Sequence, residues 1–186
     1  MGIQKVPIKT TYYVHLALIN LISILLHELG HALAVILAGG RLVSYELVRI
    51  IPEPSFIHNF YALLGGPIVT AMLCFLATYQ FFKDRTNSAK WLAAIFSNFG
   101  PLISLMIYLL AGPNQDELYI FIHEMKMPPL LFFSIYLALF SFPLAILINA
   151  PRLSARKKVA FYLNNIAIIL SEIALLSVLN RLIFGR

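Results

Sequence analysis

Five stretches of about 20 mostly apolar residues or more occupy most of this 186-residue chain, and about 20 is the length an α-helix needs to cross a bilayer. They run from about Tyr12 to Gly39, Phe60 to Phe82, Trp91 to Ala111, Pro129 to Asn149 and Ala160 to Ile183. Hydrocarbon offers no water to bond exposed N–H and C=O groups, so runs of this length are expected as helices. Composition agrees: 60% of residues are hydrophobic and only 12% charged, against roughly a quarter charged in an average soluble domain. The expected fold is an all-α membrane protein of about five transmembrane helices, forming one polytopic domain over residues 1–186.

The connections carry the rest of the architecture. Gly39-Gly40 is a stop for the first helix. Gly100-Pro101 inside the third run and Pro143 late in the fourth are expected to kink their helices. Leu42 to Ile51 is rich in β-branched and aliphatic residues with partial alternation, and Pro52 and Pro54 end it. It reads as a small strand or hairpin at the membrane surface. Gly112 to Pro128 opens with turn residues, and Glu117 to Met127 is expected as a short interfacial helix. No small-residue cleavage site follows a short apolar core at the start, so the first run is expected to be a retained helix.

The formal net charge is +6, but the basic residues sit in the gaps between apolar runs, where they orient a membrane protein. They form no nucleic-acid patch. Five spans place the termini on opposite faces. Nine basic residues then fall on the N-terminal side and five on the other. The bias assigns the N-terminus to the cytoplasm of a multi-pass protein in a cell membrane. Cys74 is the only cysteine, so there is no intrachain disulfide.

The ionisable residues inside the first run are the exception to its apolar character. His27 and His31 are one helical turn apart on one face, able to reach one metal ion, expected as one zinc per chain. Glu28 beside them is placed to take a proton from water activated there. Five histidines and eight acidic residues make His-acid-x-x-His a roughly 0.006-per-chain coincidence. Inside a span each such residue is costly without a partner or a wet cavity. The competing reading is two histidines and a glutamate bonded to neighbouring helices with no metal. A bis-histidine haem is a poor fit, since it needs ligands on opposite faces of its ring.

A catalytic zinc usually takes three protein ligands. Topology puts Gly112 to Pro128 at the same membrane face as the motif, and Asp116 there is the first candidate for the third ligand. Glu117 is the second; His123 and Glu124 are expected on the polar face of the interfacial helix. Asn20 and Ser23 share the helix face of His27, as hydrogen-bonding support for the ligands or as packing contacts. Glu172 lies mid-span in the fifth run and is expected to pair with a buried polar group or to be protonated rather than to bind metal. His15 and His58 are expected as interfacial side chains.

The segment His27-Glu28-Leu29-Gly30-His31-Ala32-Leu33-Ala34, followed by Gly39-Gly40, resembles the first motif of the site-2 protease family of membrane-embedded zinc metallopeptidases. Leu64-Gly65-Gly66-Pro67 is similar to that family's Gly-Pro signature in its second core helix, making Gly65, Gly66 and Pro67 candidates for substrate contact. Asp116 is the position that best matches the aspartate completing the family's zinc site. Two residues depart from the pattern: Thr70 stands where members often carry Asn, and Glu117 follows Asp116 where Gly is usual. The resemblance covers Asn20 to about Glu117 and implies cleavage of peptide bonds in or near transmembrane segments of other proteins. The expected partners are a membrane-protein substrate and the lipid bilayer, with no nucleic acid and the oligomeric state open. An unwound substrate is expected to pair with the edge of the Leu42 to Ile51 strand. The alternative function is a non-proteolytic membrane protein with a metal site, either a cation transporter or a degenerate protease that binds partners.

Overall fold

The first helix, α1 (Thr10–Leu37), turns its apolar surface outward. Val14, Leu18, Ile22, Leu29, Leu33 and Ile36 are exposed, while Leu16, Asn20, His31, Ala32 and Val35 are buried. A soluble helix would reverse this pattern; a helix in lipid need not. α1 ends where Gly39 adopts φ +85°. Gly40 N–H bonds the Val35 carbonyl (2.9 Å) and Gly39 N–H that of Ile36 (3.0 Å), a Schellman cap that satisfies two terminal carbonyls.

The computed structural model describes residues 10–45, 50–56, 60–111, 122, 126–149 and 154–184. After α1 come β1 (Leu42–Tyr45) and β2 (Ile50–Pro52), paired antiparallel. Leu42 faces Pro52 and Ser44 faces Ile51, so Val43 is the extra residue of a bulge. Four further helices are α2 (Phe60–Lys83), α3 (Ser88–Ala111), α4 (Pro129–Asn149) and α5 (Ala155–Phe184). Thus five helices occupy the five expected runs, with a hairpin after the first, and α1, α2, α4 and α5 are long and apolar enough to cross a membrane. The interfacial helix expected over Glu117 to Met127 lies almost wholly outside the described residues, as does His58.

The described residues divide into two compact units, one within residues 74–158, the other within residues 10–73 and 159–184. In the first, Asn87 caps α3 by accepting from the N–H groups of Ala89 (3.0 Å) and Lys90 (3.2 Å). Just before it, bonds from the Thr86 hydroxyl and Lys90 hold the Asp84 carboxyl below its ordinary range. The buried Trp91 indole donates to the Leu147 carbonyl (2.8 Å), tying α3 to α4. α3 continues as one helix through Gly100-Pro101. Proline has no N–H for the carbonyl four residues back, that of Ser97. The Cys74 thiol takes that place, donating to Ser97 O at 2.8 Å. The Pro101 carbonyl accepts the Tyr136 hydroxyl at 2.9 Å.

In the second unit α1 meets α5 running in the same direction. Asn164 Nδ2 donates to the Tyr13 hydroxyl (3.1 Å), and two turns further Asn20 Nδ2 donates to the Glu172 carboxylate. So Glu172 is paired, and its partner is a buried asparagine. α1 meets the first part of α2 running oppositely, at a crossing made of two glycines. A Cβ on Gly30 would stand 2.5 Å from the Gly65 carbonyl oxygen, and one on Gly65 would run into the Gly30 carbonyl and come within 2.8 Å of Ala34 Cβ. The two backbones are therefore in direct contact, as small residues permit between membrane helices. Gly65→Ala puts a methyl against rigid backbone and is expected to cost about 1–3 kcal/mol or more. Thermal unfolding in detergent measures it; an unchanged midpoint would refute the crossing.

Candidate metal centre

On α1, successive residues are 100° apart around the axis, so His27, His31 and Glu28 fall within an arc of about 100°. Antiparallel packing sets a second run of four-residue steps opposite them on α2: Ala62, Gly66 and Thr70. Each has a distinct contact with the histidines. His31, which is buried, has its Nδ1 2.7 Å from the Ala62 carbonyl oxygen. A carbonyl only accepts, so Nδ1 carries the proton, and a neutral His31 presents a lone pair at Nε2. Gly66 N–H lies 3.4 Å from the same nitrogen, but two donors cannot bond each other, and the shorter contact decides the tautomer. His27 has its Nδ1 2.7 Å from the Thr70 hydroxyl.

Both rings then turn Nε2 toward one point. The two Nε2 atoms are 3.2 Å apart, the ring centroids 4.9 Å apart and the planes at 80°. Two tetrahedral zinc ligands with bonds of 2.0–2.1 Å would stand about 3.3–3.4 Å apart. The pair therefore fits two corners of a zinc site, with both Nδ1 atoms anchored as imidazole ligands usually are. Gly66 lies directly over this point. A Cβ there would collide with His31 Nε2 and lie 2.6 Å from His27 Nε2, so only a residue without a side chain fits against the two rings.

Glu28 is half-buried on α1. Tyr45, at the end of β1, turns its hydroxyl toward the Leu25 carbonyl at 3.4 Å. Its phenol is pushed up from its ordinary range, first by burial and then by the Glu28 charge.

Other expected site residues stand differently. Asn20 and Ser23 do not support the ligands: the Asn20 amide is engaged with Glu172, and the Ser23 hydroxyl donates to the Ile19 carbonyl one turn back at 2.8 Å. Gly65 forms the helix crossing and Gly66 the roof of the site; Pro67 continues α2 without a break. Asp116 and Glu117, and with them His123 and Glu124, lie outside the described residues. Among the described residues no three of His, Cys, Asp or Glu gather as a metal site, so the centre as described consists of two histidines. Thr70 and Ala62 bond the two histidines, contacts that the residue pattern alone did not predict. The signal was present as Ala62, Gly66 and Thr70 at the same spacing of four as His27 and His31. No family model, curated protein or solved structure matches the chain.

Proposed function

We propose that this chain is a membrane-embedded zinc metallopeptidase of the site-2 protease type, a multi-pass protein of a cell membrane that hydrolyses peptide bonds in or near transmembrane segments of other proteins. The observation that carries the reading is the His27–His31 pair: two Nε2 atoms at 3.2 Å on an otherwise lipid-compatible helix, each ring anchored through Nδ1. Their separation suits tetrahedral zinc. The Gly66 backbone packs directly against both Nε2 atoms, where any side chain would collide with them.

Zinc held there would supply Lewis acidity toward water and a substrate carbonyl. The protein supplies the rest. His27 and His31 hold the ion, and Asp116 is the proposed third ligand, with Glu117 the alternative. Glu28 takes the proton from the attacking water and returns it to the departing amine. The short β1–β2 hairpin offers an edge on which an unwound substrate segment can satisfy its backbone.

The test is the zinc content of purified protein. Wild type is expected to carry one zinc per chain, Asp116→Ala to lose it, and Glu117→Ala to keep it. The reverse order would move the third ligand to Glu117. Wild type purified without zinc, and unable to take it up, would overturn the reading.

A further inference from the structure

The turn from α2 to α3 and the connection from α4 to α5 stand side by side. The buried Trp91 indole, one turn into α3, donates to the Leu147 carbonyl near the end of α4 (2.8 Å). The Lys158 ammonium reaches back from the start of α5 to the Asn149 side-chain carbonyl at 3.3 Å. These contacts gather Lys83, Arg85 and Lys90 from one connection with Arg156, Lys157 and Lys158 from the other. Lys83, Arg85, Arg156 and Lys157 are exposed. Asp84 is the one carboxylate among them, and it is engaged within its own turn. It accepts from the Thr86 hydroxyl (2.9 Å) and from Lys90 (3.2 Å). No other acidic residue occurs in sequence between Glu53 and Asp116 or between Glu124 and Glu172. Lipid-facing rings lead up to this cluster along α2. Exposed Phe75 stacks on exposed Tyr79, Lys83 follows one turn later, and the Arg85 guanidinium lies 5.1 Å over the Phe82 ring. A tyrosine one turn before a pair of basic residues marks the level where hydrocarbon gives way to headgroups.

We infer that these six basic residues form a binding surface for anionic phospholipid headgroups, assembled by the contact between α3 and α4. This rests on the reading of the long apolar helices as membrane-spanning and is independent of the metal centre. Lysine and arginine stems lie along apolar surface while their charged ends reach the phosphate level. Each such cation attracts an anionic lipid, and salt screens the attraction beyond a Debye length. The occupant is lipid rather than an acidic protein because the cations continue directly from rings that face hydrocarbon. A protein arriving from water would need no such rings beside them. Clustering matters as well: the two connections are far apart in sequence, and only the Trp91–Leu147 bond places their charges on one surface.

The experiment uses the full chain in phosphatidylcholine vesicles carrying a trace of pyrene-labelled phosphatidylglycerol or pyrene-labelled phosphatidylcholine. Trp91 is the chain's single tryptophan and lies at this surface, so energy transfer from it reports the lipid gathered there. At low salt the labelled phosphatidylglycerol is expected to associate at least about fivefold more strongly, the gain one Lys or Arg gives near an anionic surface. The preference should shrink as the Debye length falls from about 30 Å at 0.01 M salt to about 10 Å at 0.1 M. Lys83→Gln/Arg85→Gln/Lys157→Gln is expected to remove most of it and to unfold at the wild-type temperature, since all three side chains are exposed. Arg156→Gln/Lys157→Gln, confined to the other connection, should lower it in part, and Arg181→Gln, near the far end of α5, should leave it unchanged. Equal association of the two lipids overturns the inference and leaves the surface to an acidic protein. So does a preference that survives both multiple variants, or one that Arg181→Gln lowers as much as they do. Inorganic phosphate that abolishes the preference at constant ionic strength would show a site for the free anion instead. A chain that enters no vesicle gives transfer to neither label, and the membrane reading itself then fails.

Discussion

Glu28→Gln is expected to keep its zinc and lose cleavage by about 10²–10⁴-fold, the range a general base contributes. The substitution preserves size and hydrogen-bonding reach but removes the group that accepts a proton. Glu28 follows His27 directly on α1, so any base placed there is fixed relative to the ligand pair by the helix itself. It is half-buried. The measurement is paired: cleavage of a membrane-protein substrate and zinc content on the same preparation. Wild-type cleavage by the variant would exclude Glu28 as the base. Loss of zinc together with activity would make Glu28 a support of the ligands instead.

The elements of the fold were readable wherever one physical constraint dominates. Runs long enough to span a bilayer must bond their backbone internally, and all five expected runs are helices. The boundaries differ most in α5, which starts at Ala155 rather than near Ala160. The polar Arg156, Lys157 and Lys158 lie in its first turn, where apolar length gives no guide. The end of α1 was legible because Gly39 can take the positive φ its cap requires. The hairpin was legible from β-branched residues bounded by prolines, but its bulge at Val43 was not, since a bulge is set by pairing across strands.

The site was legible along one helix and not between helices. Spacing by four puts His27 and His31 on one face, and that is a property of α1 alone. What stands opposite depends on the crossing, which the Gly30–Gly65 contact fixes. That contact brings Thr70 to His27 and Ala62 to His31, and leaves Asn20 to Glu172 two turns away. Asn20 and Ser23 share the ligand face but are used elsewhere: sharing a helix face with a ligand sets direction, not reach. Thr70 likewise could not be placed from its own helix, since its hydroxyl meets His27 Nδ1 on the neighbouring one.

Gly66→Ala is the change expected to remove the metal while sparing the fold, and its contrast with Gly65→Ala makes it decisive. The two glycines are adjacent, yet an added methyl meets different matter at each. At Gly65 it meets the Gly30 carbonyl and Ala34, a backbone and a stub that cannot move aside. At Gly66 it meets the imidazole tips of His27 and His31, the far ends of side chains that can rotate. The helices of Gly66→Ala can therefore keep their crossing while the two Nε2 atoms are pushed off their meeting point. Spreading the ligands should cost more than the about 10–100-fold typical of losing one ligand's support, so zinc affinity is expected to fall by more than about 100-fold. Metal-free Gly66→Ala should unfold near the wild-type temperature, while Gly65→Ala unfolds well below it. Zinc binding at wild-type affinity by Gly66→Ala would mean that the metal does not sit where the two histidines converge, and the proposed centre would have to be abandoned.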